Sequence, residues 1–151
     1  MRISAKADYA VRAALELAAS DGKPVKGERL AEAQGIPLQF LEHILLELKH
    51  HGIVRARRGA KGGYWLARPA DEITIAEIVR AVEGPIAHVQ STPPEAIEYR
   101  GNAEHLQAVW IAVRASLRNV LEEVTLADLV SGDLPTVVGE LTSAKDAWVA
   151  R

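Results

Sequence analysis

The chain of 151 residues is 48% hydrophobic and 25% charged and contains no cysteine. That composition supports a packed core and excludes disulfides, thiolate metal sites and a cysteine nucleophile. Aromatic residues make up only 5%, so Ala, Leu, Val and Ile are predicted to fill the core of a mostly helical protein.

The net charge of −2 conceals a strong asymmetry. Residues 1–24 carry four basic and three acidic groups, residues 25–70 eight and four, and residues 71–151 six and thirteen, giving +1, +4 and −7. Between Lys49 and Ala70 there are six basic residues and no acid. A basic face on an otherwise acidic chain suits a polyanion docked from one side. The opening residues lack the apolar core of a signal peptide, and no run approaches the roughly 18 apolar residues of a membrane span. A soluble, cytoplasmic protein without a membrane partner is therefore expected.

Ser4 is a predicted N-cap, followed by apolar residues at Ala7, Ala10, Val11, Ala14, Leu15 and Ala18, the spacing of a helix with one buried stripe. On its outer face Lys6 and Tyr9 could reach a phosphate, although solvated surface positions account for them more simply. Asp21-Gly22-Lys23-Pro24 is turn chemistry. A short helix, Gly27 to Gln34, is then predicted with Leu30 and Ala33 inward, and its start at Lys26 or Gly27 lacks a good cap. Gly35 supplies a tight turn, and Pro37 opens a longer helix, residues 37–51, whose core stripe is Leu41, Ile44, Leu45 and Leu48.

A helix-turn-helix reading places Leu38, Gln39 and Glu42 near base edges. Gln can bond bidentately to adenine, Glu can accept from cytosine N4, and Leu can touch a thymine methyl. An ordinary amphipathic helix with a solvated outer face is the bland alternative. The next stretch of chain favours DNA: a β run from Ile53 to Arg57, a basic glycine turn through Arg58, Lys61 and Gly62, and a second β run from Tyr64 to Leu66. Glycines there let backbone approach a duplex, Lys61 can neutralise a phosphate, and Arg58 can enter the minor groove. The turn is no P-loop, because it joins two strands and lacks the Gly-Lys-Ser/Thr ending. A solvated basic hairpin is the alternative for Arg57, Arg58 and Lys61.

Thr74 with Glu77 is a capping box for the next helix, which ends at Gly84-Pro85. Residues 86–102 show no sustained periodicity and read as a loop. From Ala103 a sharp stripe appears at Leu106, Val109, Trp110, Val113, Leu117, Val120, Leu121 and Val124. Such a stripe wants a partner helix, and dimerisation is the natural reading, with folding back onto its own domain as the alternative. Thr125 and Asp128 mark a short capped helix ending near Gly132, and the tail beyond Pro135 is weakly patterned.

The opening Met1-Arg2-Ile3-Ser4-Ala5-Lys6 with Tyr9-Ala10-Val11-Arg12-Ala13, then Gly35-Ile36, Phe40-Leu41-Glu42 and Gly52-Ile53-Val54, resemble the Rrf-type winged-helix regulators, the IscR, NsrR and CymR group. Arg58-Gly59, Gly62-Gly63-Tyr64 and Leu66, Ile75 to Gly84-Pro85, and Thr125-Leu126-Ala127-Asp128-Leu129 extend the resemblance. It implies a homodimer on a partly palindromic double-stranded DNA operator, with Leu38, Gln39 and Glu42 at the major groove and Arg58, Lys61 and Gly62 at the minor groove. Many members hold an iron-sulfur cluster through cysteines between the helix after the wing and the dimer helix. Here that stretch has none, so this cluster is excluded and no cofactor is expected. Asp8, by resemblance a carboxylate donor across the dimer in some members, could join His88 and His105 in a metal site, but the spacing matches no ligand motif. No metal is expected. A small effector under Trp110 and Tyr99, or a protein effector, is compatible with the pattern.

The predicted architecture is thus mostly α: a winged helix-turn-helix with a two-stranded wing (1–84), a linker or sensor loop (85–102), dimerisation helices (103–132) and a tail (133–151). The predicted function is a homodimeric, sequence-specific transcriptional regulator acting as a repressor, against the alternative of a winged-helix protein-interaction adaptor with incidental DNA binding. No acid–base partner set or nucleophile elbow accompanies the five histidines, and an enzyme is not expected.

Overall fold

The structure, a computed structural model, describes residues 2–150; Met1 of the opening motif and Arg151 of the tail lie outside the described residues. Helix α1, Ala5–Ala19, sits at the centre, packed against the next two helices, the wing and two later helices. Ser4 caps it, its Oγ accepting the Ala7 N–H at 3.0 Å. The fully buried face is Ala7, Ala10, Ala13, Ala14 and Leu17, while Val11, Leu15 and Ala18 are only half-buried. A central helix meets neighbours on several sides, so its inner face is wider than one stripe and made of small residues that allow close approach.

Helix α2, Gly27–Gln34, and helix α3, Leu38–His50, are joined at Gly35, which takes the left-handed φ of 62° that L-residues avoid. In α2 the inward residues are Leu30 and Ala31, whereas Ala33, predicted inward, is exposed. Pro37 is the N-cap of α3 and His51 its C-cap, so each end lies one residue inside the predicted 37–51. Pro37 keeps an extended ψ of 124° while its carbonyl accepts the Leu41 N–H at 3.0 Å, beginning the helical ladder without joining it. The predicted stripe Leu41, Ile44, Leu45 and Leu48 is 0% exposed throughout. Fully burying each such side chain stabilises the fold by roughly 1.5–3 kcal/mol.

Strands β1, Val54–Arg57, and β2, Gly63–Leu66, pair antiparallel, Val54 opposite Leu66 and Arg57 opposite Gly63. Ile53, predicted within the strand, instead closes the end of α3: its N–H donates to the Leu48 carbonyl at 2.9 Å. Val25 adds a third edge by exchanging two backbone hydrogen bonds with Tyr64, at 2.9 and 2.8 Å. Within the turn the glycines serve the protein's own packing. A Cβ at Gly62 would lie 2.0 Å from the Arg57 carbonyl oxygen, and one at Gly63 would lie 2.7 Å from that of Val25.

Helix α4, Ile75–Glu83, carries the predicted capping box in full: Thr74 Oγ1 accepts the Glu77 N–H and the Glu77 carboxylate accepts the Thr74 N–H at 3.0 Å. Arg68 also binds Glu77, at 2.6 Å. Burial by itself would raise the Glu77 carboxyl, but the Thr74 N–H and the Arg68 guanidinium hold it below the ordinary range. Helix α5, Leu106–Leu121, starts three residues after Ala103, because residues 101–103 form a separate 3-10 turn. Helix α6, Leu126–Ser131, has its own capping box from Thr125 and Asp128. The tail beyond Pro135 adds a short helix α7, Thr136–Thr142, and a 3-10 turn over Lys145–Trp148.

The 103–132 segment is divided between two surroundings. Val124 is buried, its carbonyl accepts the Ile75 N–H at 3.0 Å, and the Leu126 N–H reciprocates to Ile73 at 3.0 Å. Leu126 is 0% exposed in the core that α1 organises. Helix α6 therefore packs on the 1–84 unit, while α5 projects from it.

This packing has two measurable consequences. The Gly62→Ala substitution forces the turn away from Arg57 and is expected to destabilise by about 1–3 kcal/mol, the cost typical of overpacking, with faster amide exchange confined to residues 54–66. Because folding depresses the Glu77 pKa, its contribution is present above the unfolded value and lost as pH falls through the folded one. The urea midpoint of the wild type is expected to fall on acidification below about pH 4.5, and Glu77→Gln to be less stable at neutral pH with a shallower acid dependence. Equal pH profiles for the two proteins would refute this assignment.

Candidate nucleic-acid interface

Burying one stripe of α3 leaves Gln39, Glu42, His43, Leu46, Lys49 and His50 on the exposed side. The outer wall of α3, the start of α2 and the wing together form an open groove of about 410 Å³, lined among others by Lys26, Glu28, Glu42, Leu46, Lys49, Arg57, Arg58 and Tyr64. Glu42, Arg57 and Arg58, all candidates from the sequence, are thereby brought together. Lys26, Glu28, Leu46 and Lys49 join them unanticipated. Lys49 belonged to the acid-free basic run, but Lys26 and Glu28 carry no periodic or motif signal that would place them opposite a turn thirty residues later.

The groove is not uniformly positive. Burial first, then the carboxylates of Glu42 and Glu28, push the Tyr64 hydroxyl above its ordinary pKa, so it remains a neutral donor and acceptor. Leu46 is an apolar spot 48% exposed within reach of Glu42 one turn away. Such a wall offers a cation rim for phosphates, carboxylates for amino-group donors and an apolar contact for a methyl group.

At the wing, Arg58 and Lys61 are exposed, and among the described residues their side chains have no hydrogen-bond or ion-pair partner. Arg57 turns back, its Nη2 donating to the Lys61 carbonyl at 3.2 Å. Lys26 Nζ donates to the Gly59 carbonyl at 2.5 Å. Gly62 is buried beneath the turn. Leu38 is half-buried against the core, close to Gly27.

The two α1 residues sit elsewhere. Lys6 pairs with Glu47 of α3 at 2.9 Å, and the Tyr9 ring meets Phe40 edge-on, its centroid 5.7 Å away, with the Arg12 guanidinium 4.8 Å above its face. Both thus hold α1 against α3, outside the groove.

On α5, Leu106, Trp110, Val113, Leu117, Val120 and Leu121 are half-buried and Val109 is 51% exposed; none of the helix's 16 residues is buried. The loop before it is strapped to it. Gln107 Nε2 donates to the carbonyls of Pro94, Glu95 and Ile97 at 3.2, 3.3 and 2.8 Å, and Arg114 pairs with Glu95 at 2.7 Å. Its own N–H and the Arg114 guanidinium hold the Glu95 carboxyl below the usual range.

Asp8 is paired with Arg12 at 3.0 Å, and His105 stands beside Glu104 at 3.2 Å. Among the described residues no group of three or more His, Cys, Asp or Glu side chains is placed to hold a metal ion. No helix among them is long and apolar enough to cross a membrane.

Residues 3–132 match the Rrf2 family, described as an iron-dependent transcriptional regulator. A Mycobacterium tuberculosis protein named for an HTH-type transcriptional regulator is 51% identical over 142 residues, covering 93% of this chain and 88% of that one. The structure of CymR, the global cysteine regulator of Bacillus subtilis, superposes with a TM-score of 0.72 at 34% identity over 87% of this chain and 97% of that one. T. potens IscR gives 0.69 at 31% identity, over 100% of this chain and 93% of its own. With the helix-turn-helix, the two-stranded wing and the basic groove between them, these matches place the chain in the Rrf2 family of winged-helix transcriptional regulators.

Proposed function

We propose that the chain is a homodimeric, sequence-specific DNA-binding repressor, with α3 in the major groove and the wing at the minor groove. The observation that carries the reading is the open groove between α3 and the wing, where the cations Lys26, Lys49, Arg57 and Arg58 outnumber the carboxylates Glu28 and Glu42. Gln39 and Glu42 are the exposed hydrogen-bonding groups at the leading end of α3, with Leu38 beside them, and serve as the base readers. Arg58 and Lys61 contact phosphates or enter the narrow groove, with Gly62 shaping the turn that carries them. Lys6 and Tyr9 act through α3, by holding it against α1. Repression requires only that the protein occupy promoter DNA, for which these parts suffice.

The dimer reading rests on α5, an apolar helix without one buried residue in the single chain. Leu106, Val109, Trp110, Val113, Leu117, Val120 and Leu121 would be covered by the same helix of a second copy. A two-fold dimer then sets two α3 helices on half-sites about one helical turn, roughly 34 Å, apart. The family's iron chemistry does not carry over through thiolates. Iron-sulfur clusters are held chiefly by cysteine, this chain has none, and the histidines and carboxylates of the 86–105 stretch do not converge.

Binding to the promoter region of its own gene, measured against random duplex across a salt series, tests the reading. Promoter-selective binding with a steep salt slope is expected. Salt-insensitive, sequence-indifferent behaviour would instead favour a protein-binding adaptor. Arg58→Ala and Lys61→Ala are each expected to weaken binding, with Lys61→Ala lowering the salt slope by about one unit. The Gln39→Ala variant should change base preference by about 1–3 kcal/mol at one operator position while leaving affinity for random duplex intact. Val109→Glu with Val113→Glu places charge in the α5 stripe, and sedimentation should then show monomers of unchanged helical content that bind a full operator no better than a half-site. A dimer surviving both substitutions would move the interface elsewhere.

A further inference from the structure

We infer that Lys26 is a positioning residue for the wing: its ammonium pins the turn that presents Arg58 and Lys61. The inference rests on the DNA-binding reading above. Lys26 lies at the start of α2 in an extended conformation and contributes no side-chain cap to that helix. Its Nζ instead crosses 33 positions of sequence to the Gly59 carbonyl, at 2.5 Å. That same carbonyl accepts the Gly62 N–H at 3.0 Å from within the turn. One oxygen at the wing's apex thus takes a donor from each side.

The reason a pin matters is the shape of the wing. A two-stranded ribbon of four residue pairs, tied to the body at its base, can twist and sway at its tip. The base is tied by the paired Val25 and Tyr64. The next residue after Val25, Lys26, ties the tip, and Arg57 closes the turn on itself through the Lys61 carbonyl. Four cations surround this turn, and the geometry divides them: Lys26 and Arg57 donate inward to backbone, while Arg58 and Lys61 point outward. Holding a contact group in its bound position removes ordering cost at the moment of binding. Removing Lys26 should therefore cost affinity without removing a phosphate contact.

Lys26→Met keeps the aliphatic stem and removes the donor, and Lys26→Arg restores a cationic donor of similar reach. In the free protein, exchange of the Gly62 amide is expected to quicken about 3- to 10-fold in Lys26→Met, the range for one modest hydrogen bond, with the thermal midpoint unchanged. On promoter DNA the same variant should bind about 3- to 10-fold more weakly with the wild-type salt slope. Lys26→Arg should recover both values. A salt slope reduced by about one unit, as for Lys61→Ala, would make Lys26 a phosphate contact and overturn the proposal, as would unaltered Gly62 exchange. If the wild type shows no promoter selectivity, the DNA reading fails, and the exchange measurement in the free protein still decides whether the pin exists.

Discussion

The burial of Leu41, Ile44, Leu45 and Leu48 is the contact on which the rest of the structure depends. These four side chains seat α3 against α1 and α4, and all are fully out of water. A helix turns 100° per residue, so committing one stripe to the core determines the opposite one. Gln39, Glu42, His43 and Leu46 face outward for that reason. Lys6 to Glu47 and Tyr9 against Phe40 then keep α3 from rolling about its axis. The exposed face of α3 is thus a product of apolar packing on the far side of the helix.

The wing is arranged by different forces. Its strands are too short to stand alone, and an isolated two-stranded hairpin is marginal in water. Backbone pairing with Val25 and the bond from Lys26 attach it to the start of α2, directly before the helix-turn-helix. The distance between α3 and the wing is therefore set inside the domain, before any DNA arrives. Gly62 and Gly63 permit this closeness, since side chains there would collide with backbone of the protein itself.

The C-terminal third divides its apolar residues between two tasks. Val124 and Leu126 return to the core that α1 organises, fastening the far end of α5 to the DNA-binding unit through paired hydrogen bonds with Ile73 and Ile75. Helix α5 itself is left without a fully buried residue, and Gln107 and Arg114 hold the preceding loop along its side. Three hydrogen bonds from Gln107 and an ion pair from Arg114 do the holding.

The sequence by itself determined every element whose signal is local. The caps at Ser4, Thr74 and Thr125, the Gly35 turn, the α3 stripe and the two-stranded wing were all legible, because each depends on residues within a few positions of one another. Periodicity misjudged α1, where Leu17 is also buried, because a helix surrounded on several sides has no single stripe; in the short α2 the buried pair is Leu30 and Ala31 rather than Ala33. Only the tertiary structure decided the long-range partners. That Lys26 meets Gly59, and that Leu126 packs in the core that α1 organises rather than continuing α5, depend on the folded path of the chain. Pairs separated by 33 residues or more leave no periodic trace, so they become visible only once the chain has closed on itself.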